Sequence, residues 1–299
     1  MTIRFNKNKD IPNAIRENFY STDKIQADLY GNFKDPQTST IIMAHGLAGE
    51  KQCGLDSFAE FYAQLGYKVC VFDHRGFGES SCSVKNLVDK NSQLEDWGAV
   101  IQFFQQQFYI PTEQMILWGY SFSGGHVLTL ASQQPFQAII SNFPHVDGLA
   151  SLTLYPKKYL ASATLLSLQD LAQAPFGKVT TMPVVAKDRF AILAGEDCYQ
   201  GYYSIIPKNL DWDNAVPARI VAKIGLYRPT TVVHKINSPT LIMGAELDSL
   251  IPINATRKAA KKIKNGQYKE LNCGHFDLFH EPYKTEILNA HRAFLASIS

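Results

Sequence analysis

The sequence lacks a charge excess of either sign: 29 Lys and Arg stand against 27 Asp and Glu, a net charge of +2. Such a chain has no long-range field with which to gather a polyanion or a membrane surface, so nucleic-acid binding is disfavoured. Long apolar runs are missing as well. The opening MTIRFNKNKD holds no apolar stretch, and the run at residues 40–44 falls far short of the roughly 20 residues of a membrane span. A soluble protein without a membrane span or targeting segment is expected. Cysteine is sparse. Cys53, Cys70, Cys82, Cys198 and Cys273 are an odd number, widely spaced, with no CxxC pair and no histidine spacing suited to zinc. That pattern fits a reducing compartment, and a cytoplasmic location is expected. Internal repeats and low-complexity tracts are also absent.

What is present is apolar material in ordinary globular proportion, 45% hydrophobic against 19% charged residues, enough for a large core. Short β-branched and apolar runs alternate with longer segments of helical period, which is the pattern of a parallel sheet covered on both faces. Strands are expected at 18–20, 25–30, 40–44, 68–73, 115–119, 138–142, 240–244 and 267–271. The first two should form an antiparallel hairpin, because Ser-Thr-Asp leaves no room for a crossover helix. Helices are expected at 57–65, 94–108, 122–132, 254–264 and 284–297. Length divided by roughly 150 allows two domains. Nearly a hundred residues separate the strand ending at Asn142 from the one opening at Thr240, too many for a simple connection. Residues 148–235 are therefore expected to form an inserted cap, leaving 1–147 and 236–299 as the core. The insertion's aromatic content is close to the whole-chain share of 12% and singles out no aromatic pocket.

The most informative stretch is Met115-Ile-Leu-Trp-Gly119-Tyr-Ser121-Phe-Ser123-Gly124-Gly125. A buried strand runs into a sharp turn with small residues two positions either side of Ser121, and then into a helix. A serine there projects its hydroxyl above the sheet, with the positive end of the helix aimed at developing negative charge. The pattern departs from G-x-S-x-G by having Ser123 at the last position. Upstream, Met43-Ala-His45-Gly46-Leu47 ends another strand at the same edge, where a Gly-rich loop can turn the Leu47 N–H toward Ser121. With the Phe122 N–H, an oxyanion has two donors. His45 itself reads as structural.

A serine hydroxyl is a poor nucleophile until an imidazole takes its proton, and a carboxylate must hold that imidazole in the right tautomer. After the insertion, Asp248 follows one strand and His275 follows the next. Of the acids, Asp248 is favoured over Glu246, since the Pro252 turn can fix it, and Asp277 is a further rival. His280 and His291 read as solvated or packed rings, and His126 as facing away from the Ser121 hydroxyl. Cys273 is the rival nucleophile. Lys258, Lys261, Lys262 and Lys264 read as a solvated helix face.

The order Ser121, Asp248, His275, preceded by His45-Gly46, resembles the α/β-hydrolase superfamily. His45-Gly46-Leu47, Phe72-Asp73-His-Arg75-Gly76-Phe-Gly78-Glu-Ser80, Ser121-Phe-Ser-Gly-Gly-His-Val-Leu and Gly274-His275-Phe276-Asp277 look like the serine-aminopeptidase-type hydrolases and related esterases. They are also similar to fungal polyketide hydrolase and transferase enzymes. The resemblance implies a mostly parallel eight-stranded sheet flanked by helices, a cap between the sixth and seventh strands, and an acyl-enzyme mechanism without cofactor or metal. Within the family's loop after its fourth strand, Asp73 and Arg75 are expected to pair as a brace. The expected activity is cleavage of a small-molecule carboxylic ester or related acyl compound. An acyltransferase or thioesterase, an aminopeptidase using Glu196, Asp197, Asp211 and Asp213, and a non-catalytic ligand-binding protein are the alternatives. The sequence does not disclose the oligomeric state.

Overall fold

The computed structural model describes residues 2–5, 24–33, 35 and 38–298. Its strands are β1 (Thr2–Phe5), β2 (Lys24–Tyr30), β3 (Thr40–Ala44), β4 (Lys68–Phe72), β5 (Met115–Tyr120), β6 (Ala138–Asn142), β7 (Thr181–Met182), β8 (Val216–Pro217), β9 (Thr240–Ala245) and β10 (Gly266–Leu271). The helices are α1 (Leu55–Gln64), α2 (Lys90–Gln107), α3 (Phe122–Ala131), α4 (Gly148–Ser151), α5 (Lys157–Gln173), α6 (Cys198–Ile205), α7 (Ile220–Ile224), α8 (Ile253–Ala260) and α9 (Tyr283–Ser297). Eight strands form one sheet in the order β1-β2-β4-β3-β5-β6-β9-β10, while β7 and β8 make a separate ribbon. β2 runs antiparallel to β4 and parallel to β1; from β4 through to β10 every pairing is parallel.

The central strands are buried along their whole length because helices cover both faces. Side chains alternate between those faces as strand geometry requires. Ile42, Ala44, Leu117, Ile139 and Ile242 pack with Trp97, Val100 and Phe104 of α2, Val127 and Leu128 of α3 and Ala259 of α8. Their neighbours Ile41, Met43, Ile116, Trp118 and Leu241 pack with Phe58 and Tyr62 of α1 and Ile287 and Phe294 of α9. A third cluster joins Leu47, Phe122 and Phe276 at the strand ends to Met182, Val184, Tyr202 and Ile220 between β6 and β9.

Two expectations need comment here. The strand expected at 18–20, and with it the hairpin, lies outside the described residues; the edge strand observed beside β2 is Thr2–Phe5, a segment without an expected strand. Helix α2 begins four residues before the expected Leu94. Asp89 caps it by accepting from the Asn91 and Ser92 N–H groups, so a polar first turn precedes the apolar period. Between β6 and β9 lie α4 to α7; Asp170 of α5 accepts from the Thr180 N–H and from the Arg219 N–H and guanidinium, which ties α5 to the segment ahead of β7 and to the start of α7. No described helix is long and apolar enough to cross a membrane.

Candidate active site

β3, β5, β6, β9 and β10 are neighbours in the sheet and run parallel, so the loops leaving their carboxyl ends emerge side by side. β5 delivers Ser121 in a conformation that an L-residue rarely adopts, φ 56 and ψ −115. The turn persists because its surroundings over-determine it. The Ser121 N–H donates to Asn142 O at 2.9 Å, and its carbonyl accepts from the His145 N–H at 2.9 Å and the Gly125 N–H at 3.2 Å. Glycine is needed at 119, since a Cβ there would lie 2.2 Å from Ser123 O.

β9 and β10 deliver the other two groups. The His275 Nε2 lies 2.9 Å from Ser121 Oγ, and its Nδ1 lies 2.6 Å from Asp248 Oδ2. The second Asp248 oxygen accepts from the Leu250 and Ile251 N–H groups at 2.8 and 2.9 Å, so the carboxylate cannot swing away. The three side chains thus form one hydrogen-bonded line in which Nδ1–H donates to the acid and the hydroxyl donates to Nε2. That is the proton arrangement a base-activated serine requires. The His275 carbonyl is held by Tyr120 Oη at 3.0 Å.

Leu47 and Phe122 line the same cavity as Ser121. Phe122 is the first residue of α3, with no carbonyl four residues back inside the helix to take its N–H. In the 45–49 loop, Gly46 O accepts from His45 Nδ1 at 2.8 Å and from the Gly49 N–H at 3.2 Å. Because a peptide N–H points opposite to its C=O, this turns the Leu47 N–H the other way. His45 Nε2 accepts from the His74 N–H. Burial pushes the His45 ring down to about 4, which keeps it neutral and able to do both.

The remaining candidates fall elsewhere. Glu246 is exposed. Asp277 accepts from the Gly274 N–H at 2.7 Å and braces the turn that carries His275. His126 bonds Tyr227 Oη and Gln93, and His291 bonds Tyr62 Oη and Asn142. Burial pushes the Cys53, Cys198 and Cys273 thiols up to about 12, away from the thiolate a cysteine nucleophile needs. The Asp73–Arg75 brace is corrected: Asp73 meets buried Lys51 at 3.4 Å, whereas Arg75 bonds Asp96 at 2.5 Å. Among the acids weighed for an amine site, Asp197 is bonded to Ser249, and Asp213 to Lys85 and Asn86. Among the described residues, no three His, Cys, Asp or Glu side chains are grouped to hold a metal ion.

Two cavities meet at Ser121. The larger, about 780 Å³ counting space open to solvent, also touches Leu47, Phe122, His145 and Ser249; its mostly aliphatic wall includes Leu152, Leu154, Leu160, Ile192, Val221, Ile224, Leu250 and Ile251. The smaller, about 350 Å³, contains His275 and is bounded by Cys53, Tyr120, Tyr202, Ile205 and Phe276.

Sequence and structure comparisons agree with this architecture. A family model of the alpha/beta hydrolase fold matches residues 39–282. Quorum-quenching protein AidA of Acinetobacter baumannii (strain MDR-ZJ06) is 34% identical over 265 residues, 87% of this chain and 87% of the relative. Thiohydrolase aneE of Aspergillus aculeatus is 32% identical over 127 residues, 42% of this chain and 39% of that protein. The crystal structure of the alpha/beta hydrolase GrgF from Penicillium sp. sh18 superposes with a TM-score of 0.75 at 21% identity, covering 89% of this chain and 91% of that one.

Proposed function

The chain belongs to the α/β-hydrolase family, and on that footing we propose that it is a serine hydrolase that cleaves a carboxylic ester or related acyl compound through an acyl-enzyme. The observation that carries this reading is the Ser121–His275–Asp248 line opening onto two cavities. Ser121 Oγ adds to the substrate carbonyl while its proton passes to His275 Nε2, and Asp248 stabilises the imidazolium. The carbonyl oxygen becomes an oxyanion held by the Leu47 and Phe122 N–H groups. Collapse breaks the bond to the leaving group, which departs with the proton from His275. Water then repeats the sequence with His275 as base, releasing the acid and restoring Ser121.

The imidazole must reach the leaving atom, so that atom belongs on the side of the smaller cavity, the one that contains His275. The acyl group is left with the larger, aliphatic cavity. Residues 148–235 act as its cap, since most of that wall comes from them. The named activities of the relatives, a thiohydrolase and polyketide transferases, are acyl chemistries that one triad can serve. An acyltransferase is accordingly the second reading. A fluorophosphonate that labels Ser121, together with turnover of p-nitrophenyl esters of rising chain length, tests the proposal; absence of both overturns it. Adding an alcohol, amine or thiol acceptor in that assay separates transfer from hydrolysis.

A further inference from the structure

In the 45–49 loop, which carries the Leu47 N–H and is here the oxyanion loop, three successive carbonyls (Gly46, Leu47 and Ala48) are held, by donors from two different parts of the chain. Gly46 O is held from the core by His45 and from within the loop by the Gly49 N–H. Leu47 O accepts from Tyr202 Oη at 3.0 Å, and Ala48 O accepts from Trp212 Nε1 at 2.9 Å. Tyr202 and Trp212 both belong to the insertion and stack on each other with ring centroids 4.7 Å apart. Between the two carbonyls they hold stands Ala48, an L-residue in the left-handed region at φ 58. A non-glycine residue keeps such a conformation only when neighbours fix the peptide planes on both sides.

Tyr202 sits on α6, and that helix touches the other two loops of the site as well. Gly201 lies so close to the Phe276 ring, next to His275, that a Cβ would fall 2.3 Å from it. Just ahead of α6, Asp197 bonds Ser249, next to Asp248.

We propose that Tyr202 and Trp212 are positioning residues for the oxyanion loop, so that the insertion takes part in transition-state stabilisation as well as shaping the acyl cavity. This rests on the serine hydrolase reading. The phenol and indole touch no reacting atom; they act through Leu47, whose N–H is useful only if aimed at the position the oxyanion will occupy. Loosening the loop should therefore lower the rate of the chemical step and leave ground-state binding of the acyl chain alone.

The test is Tyr202→Phe, which keeps the stacked ring and deletes the donor, with Trp212→Phe as a second variant and Tyr199→Phe, on the outer side of α6, as control. Three readouts are taken: kcat and KM for p-nitrophenyl butyrate, the rate of fluorophosphonate labelling, and inhibition by an alkyl trifluoromethyl ketone. Ser121 Oγ adds to the ketone carbon, its proton goes to His275, and the ketone oxygen becomes the oxyanion. Tyr202→Phe should lower kcat roughly tenfold, less than the 10²–10³-fold loss on deleting an oxyanion donor outright, with KM within about twofold. Ketone affinity and labelling rate should fall by the same factor, and the control should match the parent. Unchanged kcat and ketone affinity in folded Tyr202→Phe, or in Trp212→Phe if the first variant does not fold, overturn the proposal. A fall in kcat without a fall in ketone affinity overturns it too. If the parent itself fails to label at Ser121, the serine hydrolase reading falls and the positioning role falls with it.

Discussion

One turn of the chain carries two Ser–His–Asp lines. Ser121 bonds His275, which bonds Asp248, with separations of 2.9 and 2.6 Å. Two residues further on, Ser123 bonds His74, which bonds Asp96, with separations of 3.1 and 3.3 Å. Residue types, atoms and order are the same. The difference lies at the serine: the His275 and Asp248 side chains are buried too, but Ser121 opens onto both cavities. Ser123, His74 and Asp96 are 1%, 0% and 0% exposed, and none of them lines either cavity at Ser121. Asp96 is also bound to Arg75 through both its oxygens, so its charge is already answered. Serine chemistry therefore needs more than a hydroxyl, an imidazole and a carboxylate in line. Acyl chemistry at a serine needs room for a carbonyl beside the hydroxyl, and of the two lines only that of Ser121 opens onto a cavity. The sealed line instead ties the loop after β4 to α2 and α3, and explains a serine in place of glycine at 123: its hydroxyl has a buried partner.

The sharpest way to break this contrast is to remove each hydroxyl in turn. Ser121→Ala should abolish fluorophosphonate labelling and lower ester turnover by roughly 10⁴- to 10⁶-fold, as expected when the nucleophile of a triad is lost. Ser123→Ala should keep labelling on Ser121 and lose stability of about 1 kcal/mol, the worth of one hydrogen bond, plus whatever the orphaned His74 nitrogen costs. Mapping the label to Ser123 or Cys273 by mass spectrometry would overturn the assignment. The acids come next. Asp248→Asn should cost up to roughly 10⁴-fold in kcat with little change in Tm, whereas Asp96→Asn should lower Tm and alter kcat far less, because it disturbs packing around Arg75 and His74. Glu246→Gln, on an exposed side chain, should be close to neutral; a larger loss there than at Asp248 would exchange their roles.

The contrast also measures what was legible in the sequence. The central strands could be read because each is a short apolar run buried on both faces, and the loops bearing Ser121, Asp248 and His275 follow from strand order alone. Contacts between distant segments were not legible. Asp73 and Arg75 look like natural partners two residues apart, yet Lys51 and Asp96 reach them from 22 and 21 residues away. The line through His74 left one signal, a serine where the family's turn has glycine, since a polar group in a tight buried turn needs a partner. Tyr202 and Trp212 left none, because the insertion has an ordinary aromatic content and their roles depend on where it folds back.

An open site can be filled and a sealed one cannot, which gives a further and smaller test. Leu152 and Leu154 wall the large cavity. Leu152→Trp or Leu154→Trp should shift the preferred p-nitrophenyl ester toward shorter acyl chains, by about tenfold in relative kcat/KM, since each lost methylene contact is worth roughly 1–3 kcal/mol. Leu165, by contrast, is 69% exposed and absent from that wall. Leu165→Trp should leave the chain-length profile unchanged, and a shift there as large as at Leu152 would contradict the assignment of the acyl group to this cavity.

The smallest effect concerns protons on the sealed line. Burial, reinforced by His45 and Arg75, holds the His74 ring well below the ordinary imidazole range. His126 also meets it edge-on, and burial pushes that ring down too. In the unfolded chain His74 takes a proton near pH 6.5, and in the folded chain it does not. The unfolded state therefore binds more protons below that pH, and the stability associated with a neutral His74 is complete above about pH 6.5 and lost as the pH falls. Asp96 acts in the opposite sense, because burial raises it to about 6 and the folded protein binds its proton first. Comparing the parent with His74→Gln separates the two, since Asp96 remains in both. The variant should be less stable than the parent at neutral pH. Between about pH 6.5 and 4.5 the parent should lose ground to it with a slope of up to about 1.4 kcal/mol per pH unit, the limit for one proton. Chemical denaturation of both proteins across that range measures the gap. Parallel stability curves would mean that His74 is protonated in the fold, and Asp96 would then face a cation on each side.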